Sequence, residues 1–220
     1  MKTFDGLPPA LESGALLSRR GLLLFTATSA VLAQGFLGSA HAKDSALEEL
    51  YADPTIPVGG NKDGSLTILN FFDYNCPYCR RATKPLEAAV KKDGDVRVLY
   101  KDWPILTPAS VVGAQLALAA HKQGRYEAVH NALMSMSGRA DEATMTKTAN
   151  AAGVDAGKLA QALKSSRREI AQTLSRNSEH AEAIGLAGTP GYLVGKYRVA
   201  SALDEKMFTL VINDARKKAK

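Results

Sequence analysis

Leu66-Thr67-Ile68-Leu69-Asn70-Phe71-Phe72-Asp73-Tyr74-Asn75-Cys76-Pro77-Tyr78-Cys79-Arg80 holds both cysteines of the chain. Its first half, Leu66 to Phe72, is a nearly continuous apolar run, the pattern of a strand covered on both faces. Pro77 suits the first position of a helix, which places Cys76 at the N-cap and Cys79 one turn on, along the same face. The unpaired N–H groups of a first helical turn favour a thiolate at Cys76. Cys76 is therefore the expected nucleophile and Cys79 the expected resolving thiol. Cysteines in such settings have pKa values lowered to roughly 3.5–7.5.

Two other uses of the pair stand beside redox chemistry. A structural bridge closing so short a loop restricts the unfolded chain less than a long one does. A zinc site takes about four ligands, and the chain offers no second cysteine pair or closely spaced histidine pair to complete one. No metal and no cofactor are expected.

The ends of the chain indicate its compartment. Arg19-Arg20 precedes an apolar run, Gly21 to Ala33, and then Ala40-His41-Ala42, the order of a secretory signal peptide cleaved after Ala42. Ser18-Arg19-Arg20-Gly21-Leu22-Leu23 resembles a twin-arginine signal, with the general secretory route and a retained anchor as alternatives. The expected location is the periplasm, where two cysteines alone point to a working pair rather than a disulfide scaffold. The net charge of +6 comes from a basic tail, Arg216-Lys217-Lys218-Lys220, and scattered pairs such as Lys91-Lys92. That is solvated helix surface rather than a basic face interleaved with aromatics, so no nucleic-acid partner is expected.

Downstream of Cys79 a helical pattern carries Leu86, Ala89 and Val90 and stops at Asp93-Gly94, followed by a second strand, Val96 to Tyr100. Strand, helix, strand implies a parallel pair. From Pro108 to Gly185 the periodicity is helical only. Asp141 and Asp155 are placed to cap helices, and a longer helix carries Ile170, Leu174, Ala181 and Ile184. Tyr192-Leu193-Val194, a turn at Gly195-Lys196 and Tyr197-Arg198-Val199 read as a hairpin before a last helix from about Asp204 to Lys217. The predicted class is α/β, a thioredoxin fold with an inserted helical subdomain. Residues 1–42 read as signal peptide, 43–64 as an N-terminal arm, 65–107 as the first part of the domain, 108–185 as the insertion and 186–220 as the second part.

Three stretches together, Phe71 to Cys79, Trp103-Pro104-Ile105-Leu106 and Gly188-Thr189-Pro190, resemble the DsbA-like thiol:disulfide oxidoreductases, and among them the exported, ScsC-like subset. The resemblance implies disulfide exchange with unfolded or cysteine-containing exported proteins, foremost as a disulfide-forming oxidase, with reduction or isomerisation as the reverse. It also implies a redox partner that resets the cysteines, a membrane protein among the candidates. The chain itself is expected to be a monomer or weak homo-oligomer. Family members carry a cis bond at the pair matching Thr189-Pro190, beside the nucleophile, and there offer backbone groups to an extended substrate. Pro77, Tyr78, Thr189 and Pro190 are the implied substrate contacts. Tyr74 and Tyr78 flank the cysteines as candidate walls of a shallow apolar groove. A non-enzymatic alternative is a copper-binding or holdase protein using Cys76 and Cys79, with Met134, Met136 and Met145 as soft ligands or, more simply, core filler. His130 and Trp103 read as core residues.

The family often has a carboxylate six residues before the nucleophile that moves the proton of the resolving cysteine. Here that position is Asn70, and an amide cannot accept and release a proton near neutral pH. Either water, Asp73 or Lys101 then takes part in proton transfer, or turnover involving Cys79 is slower. Asn70→Glu is expected to accelerate exchange at Cys79; stopped-flow rates unchanged across pH would reject a role for this position.

Overall fold

The structure, a computed structural model, describes residues 50–218. The expected signal peptide and the start of the expected arm lie outside the described residues.

A five-stranded mixed sheet forms the centre. Its strands are β1 (Val58–Gly60), β2 (Leu66–Phe72), β3 (Val96–Asp102), β4 (Gly191–Val194) and β5 (Tyr197–Val199). They lie in the order β1-β3-β2-β4-β5. β2 and β3 are parallel, with Leu66 opposite Val96 and Phe72 opposite Asp102, and the other pairs are antiparallel. The crossover between β2 and β3 is helix α1 (Pro77–Asp93). Between β3 and β4 come α2 (Pro108–His121), α3 (Tyr126–Met134), α4 (Glu142–Ala151), α5 (Ala156–Ser165) and α6 (Arg167–Ala183), and α7 (Glu205–Lys217) closes the chain. This is the thioredoxin fold with helices inserted.

The helices begin and end where local chemistry dictates. The carboxylates of Asp141, Asp155 and Asp204 accept the N–H of Thr144, Lys158 and Met207 at the starts of α4, α5 and α7. Gly94 ends α1 at φ 77°, a left-handed conformation that a side chain resists.

Strand alternation divides the interior in two. Leu66, Ile68 and Phe72 face α1 and α7, in the same core as Val96, Val98, Phe208 and Ile212. Leu69, Phe71, Leu99 and Leu193 face the other way, toward Trp103, Ala181 and Leu186. Trp103 is thus core, its ring edge-on to Phe71.

One element differs from the sequence reading. Val58-Gly59-Gly60 falls in the stretch read as an N-terminal arm with no strand of its own, yet it pairs antiparallel with β3 through Val58 and Leu99. Three residues, two of them glycine, carry no alternation to read; the strand exists because β3 presents an open edge.

The inserted helices meet the sheet through a buried aromatic and polar cluster. Tyr126 on α3 donates its hydroxyl to Asp102 Oδ2 at 2.6 Å, and Tyr74 Oη lies 3.2 Å from His130 Nδ1. The His130 ring packs edge-on to Phe72 and stacks on Tyr126. Gly113 on α2 lets that helix approach, since a Cβ there would stand 3.1 Å from the Tyr74 ring. Burial drives the Asp102 carboxyl up to about 7 and the His130 imidazole down to about 3, so both are held neutral at mildly acidic pH.

The Asp102 shift has a direction in pH. Its folded pKa exceeds the unfolded value of about 3.9, so the folded state holds the extra proton between these values and loses stability as pH rises through them. His130 acts oppositely from about pH 3 to 6.5. Because His130 is common to wild type and Asp102→Asn, it cancels in their difference. The variant is expected to gain stability relative to wild type from about pH 4 to pH 7, by up to about 4 kcal/mol, and then level off. Paired thermal melts across pH check this; a flat difference would contradict it.

Candidate active site

The site is the start of α1. Cys76 is its N-cap, with φ −81° and ψ 114°, and Pro77 opens the helix, leaving the next N–H groups free to point back. The Cys79 N–H donates to Cys76 Sγ at 3.2 Å, and the Cys76 thiol donates to the carbonyl of Thr189 at 3.3 Å. Both cysteines are free thiols in this structure. Each is only 2% exposed, whereas Tyr78 beside them is 55% exposed.

The two sulfurs are chemically unlike. The donors that a thiolate at Cys76 would meet, foremost the Cys79 thiol and then the Thr189 hydroxyl and the N–H groups of Cys79 and Tyr78, draw it down to about 6 against the opposing effect of burial. Burial, and then the neighbouring Cys76 sulfur, push Cys79 far up. Cys76 is the group that ionises near neutral pH.

The Thr189–Pro190 peptide bond is cis and brings Thr189 against the cysteines. Thr189 Oγ1 is buried with no hydrogen-bond partner in this thiol state. It stands close enough to both sulfurs to favour their thiolates.

The other candidate residues are placed differently. Asp73 is buried and spends its carboxylate on the loop: Oδ1 accepts the Asn75 N–H at 2.7 Å and the Ser110 hydroxyl at 2.7 Å, and Oδ2 accepts the Leu106 N–H at 2.9 Å. Lys101 points to the far side of the sheet, where its Nζ lies 3.2 Å from His180 Nδ1 and burial lowers it to about 8. The structure does not bring it to Cys79. Asn70 lies on the α1 side, 5% exposed. Its Oδ1 has no partner, and it lines a cavity of about 470 Å³ together with Thr83, Glu87, Tyr100 and Asn131. Tyr74, expected as a groove wall, is 1% exposed and belongs to the core; Tyr78 alone of the two reaches the surface. Met134 and Met145 are buried in the core.

Two residues absent from the sequence reading fasten the cysteine loop. Asn75 gives its amide to Thr107 Oγ1 at 2.8 Å and Ala140 O at 2.9 Å, and accepts the Ala140 N–H at 2.9 Å. Arg80 donates Nε to Tyr74 O at 2.8 Å, Nη2 to Asn75 Oδ1 at 3.2 Å, and Nη1 to Gly138 O. Their partners lie up to 65 residues away in sequence, so no local pattern marks them.

Residues 67–212 match the DSBA-like thioredoxin domain family. Among solved structures, a thioredoxin-like oxidoreductase from Silicibacter pomeroyi DSS-3 is 39% identical with a TM-score of 0.72, covering 76% of this chain and 96% of that one. A periplasmic thioredoxin-like protein from Salmonella enterica serovar Typhimurium is 27% identical with a TM-score of 0.67, covering 79% and 95%. Among curated proteins, the thiol:disulfide interchange protein DsbA of Bordetella parapertussis is 27% identical over 150 residues, 66% of this chain and 70% of that protein. The chain also matches the sodium/proton antiporter NhaA 1 of Mycolicibacterium gilvum at 26% identity over 144 residues, 64% of this chain but only 23% of the antiporter's length. Among the described residues no helix is long and apolar enough to cross a membrane.

Thr189→Val removes the free hydroxyl while keeping the carbonyl that faces Cys76. It is expected to raise the Cys76 pKa above about 6, read from the ultraviolet absorbance of the thiolate against pH. An unchanged titration would show that the hydroxyl does not act on the sulfur.

Proposed function

The chain belongs to the DSBA-like thioredoxin domain family, and from that premise we propose that it is a periplasmic thiol:disulfide oxidoreductase acting on unfolded or partly folded exported proteins, principally as a disulfide-forming oxidase. The observation that carries this reading is the inequality of the two thiols, with Cys76 lowered to about 6 and Cys79 pushed far up. Stabilising one thiolate of the reduced pair favours the reduced protein and so makes its disulfide the stronger oxidant.

The exchange then runs as follows. A client thiolate attacks Cys76 Sγ of the Cys76–Cys79 disulfide, the S–S bond breaks, and Cys79 leaves as a thiolate that takes up a proton. A second client thiolate attacks its partner sulfur in the mixed disulfide and expels Cys76. The client is oxidised by two electrons and the protein is left as a thiolate at Cys76 and a thiol at Cys79. A low pKa at Cys76 makes it the better leaving group in this second step. The carbonyl of Thr189, within 3.3 Å of Cys76 Sγ, stands where an extended client backbone can donate to it, and exposed Pro77 and Tyr78 border the same place. A separate redox partner must return the pair to the disulfide for another turnover. The expected signal peptide and the periplasmic protein of similar structure both support an exported location.

Equilibration with glutathione buffers tests the direction. With Cys76 at about 6, between the nucleophile pKa values of thioredoxin, about 7, and DsbA, about 3.5, the reduction potential is expected between about −270 and −120 mV. A value at or below thioredoxin's would contradict an oxidase. Cys79→Ser, first loaded at Cys76 as its mixed disulfide with glutathione, is expected to exchange this for a mixed disulfide with a reduced single-cysteine unfolded client, releasing glutathione, and Cys76→Ser to form none.

A further inference from the structure

Next to Cys76 the surface opens into a groove of about 620 Å³, bordered by the chain neighbours Asn75 and Pro77 and lined also by Arg80, Arg81, Leu106, Met136 and Arg139. Its walls are of two kinds. Leu106 is 47% exposed, and its chain neighbour Ile105 and Tyr78, next to Pro77, are 46% and 55% exposed. Three arginines, Arg80, Arg81 and Arg139, give the groove its charge, and among the described residues the ion pairs lie elsewhere: none joins these three to a carboxylate.

The arginines are positioned rather than loose. Arg80 is held by three oxygens, those of Tyr74, Asn75 and Gly138, none of them a carboxylate, so its charge is fixed at the mouth; the buried Asp73 carboxylate offsets part of it through space, without an ion pair, which leaves Arg81 and Arg139 as the arginines open to a ligand. Arg81 lies over the Tyr78 ring, 4.6 Å from its centre. Arg139 follows Gly138 on the opposite wall, and Lys84 extends the basic line along α1. The acids nearest Arg139 in the chain, Asp141 and Glu142, border a separate depression, and the Asp141 carboxylate is engaged at 2.7 Å in capping α4. Glu87 lies further along α1, beyond Lys84, and faces Asn131.

Fixed cations without partners, next to a nucleophile and mixed with exposed apolar side chains, complement an extended segment that carries carboxylates. We infer that this groove sets client preference: it receives the stretch flanking the reacting cysteine of an exported protein and favours stretches with Asp or Glu within a few residues of that cysteine. This inference rests on the exchange reading above. A carboxylate beside a client cysteine raises that thiol's own pKa and slows its attack. The groove offsets the handicap by pairing the carboxylate with arginine as the thiolate approaches Cys76.

The test uses the oxidised full chain and single-cysteine peptides identical except for acidic, neutral or basic flanks. Disulfide reduction by each peptide is followed by acid quench and mass spectrometry, and each rate is divided by that peptide's rate with the uncharged disulfide dithiodipyridine. The acidic peptide is expected to exceed the basic one by roughly five- to tenfold at low ionic strength, the size of a few exposed ion pairs. The ratio should fall toward one in about 0.5 M salt, where the screening length drops to a few ångströms. Arg81→Ser with Arg139→Ser should also bring the ratio near one; Arg80 is left in place because it holds the loop. Equal normalised rates for all peptides in wild type would overturn the inference and leave the exchange reading intact, as would a preference that survives both high salt and the double variant. Failure of every peptide to react would remove the exchange reading and this inference with it.

Discussion

A set of donors converging on the Cys76 sulfur, the Cys79 thiol foremost and then the Thr189 hydroxyl and the first-turn N–H groups, that of Cys79 3.2 Å away, makes two identical side chains into two different reagents. It exists because β2 delivers the chain to a point where Pro77 can start a helix without wasting a donor, leaving the first-turn N–H groups aimed at the N-cap. The same turn buries Cys79 and so disfavours its ionisation. Thr189, brought alongside by the strand that pairs with β2, adds a carbonyl and an unpartnered hydroxyl. Sheet, helix and loop thus converge on the ionisation of one atom.

Holding that geometry requires buried polar groups, and those that fasten the cysteine loop, Asp73, Asn75 and Arg80, are answered by named partners. Asp73 ties the residues before the cysteines to the exit from β3 and to α2, while Asn75 and Arg80 tie them to the turn before α4. Behind them Tyr74, Tyr126, His130 and Asp102 join the loop to α3 and β3. The inserted helices therefore act as a brace for the cysteine loop as well as a cover for the sheet. Loss of one partner would strand a buried donor or acceptor at about 1–3 kcal/mol.

Features set by short-range chemistry were legible in the sequence: β2 as an apolar run, α1 from Pro77 to its glycine stop, the aspartate caps, the hairpin, and the pairing of Thr189-Pro190 with the cysteines through resemblance. Features set by long-range placement were not. Val58–Gly60 becomes a strand only because β3 has a free edge. Lys101 and Asn70 sit on neighbouring strands one residue out of phase, so strand alternation sends them to opposite faces of the sheet. Tyr74 flanks the cysteines in sequence but turns inward, because His130 and Gly113, brought by two inserted helices, make the pocket that receives it. Arg80 looked like the next residue of a helix; its role depends on carbonyls before and far beyond it.

The claim that this architecture separates two thiols is tested most directly by alkylating the reduced protein in its folded state across pH and quantifying each cysteine by mass spectrometry. Cys76 should react with a midpoint at about 6, while Cys79 stays unmodified over the range in which Cys76 is fully ionised. Parallel alkylation of both, with midpoints near the free-cysteine value of about 8.5, would contradict it.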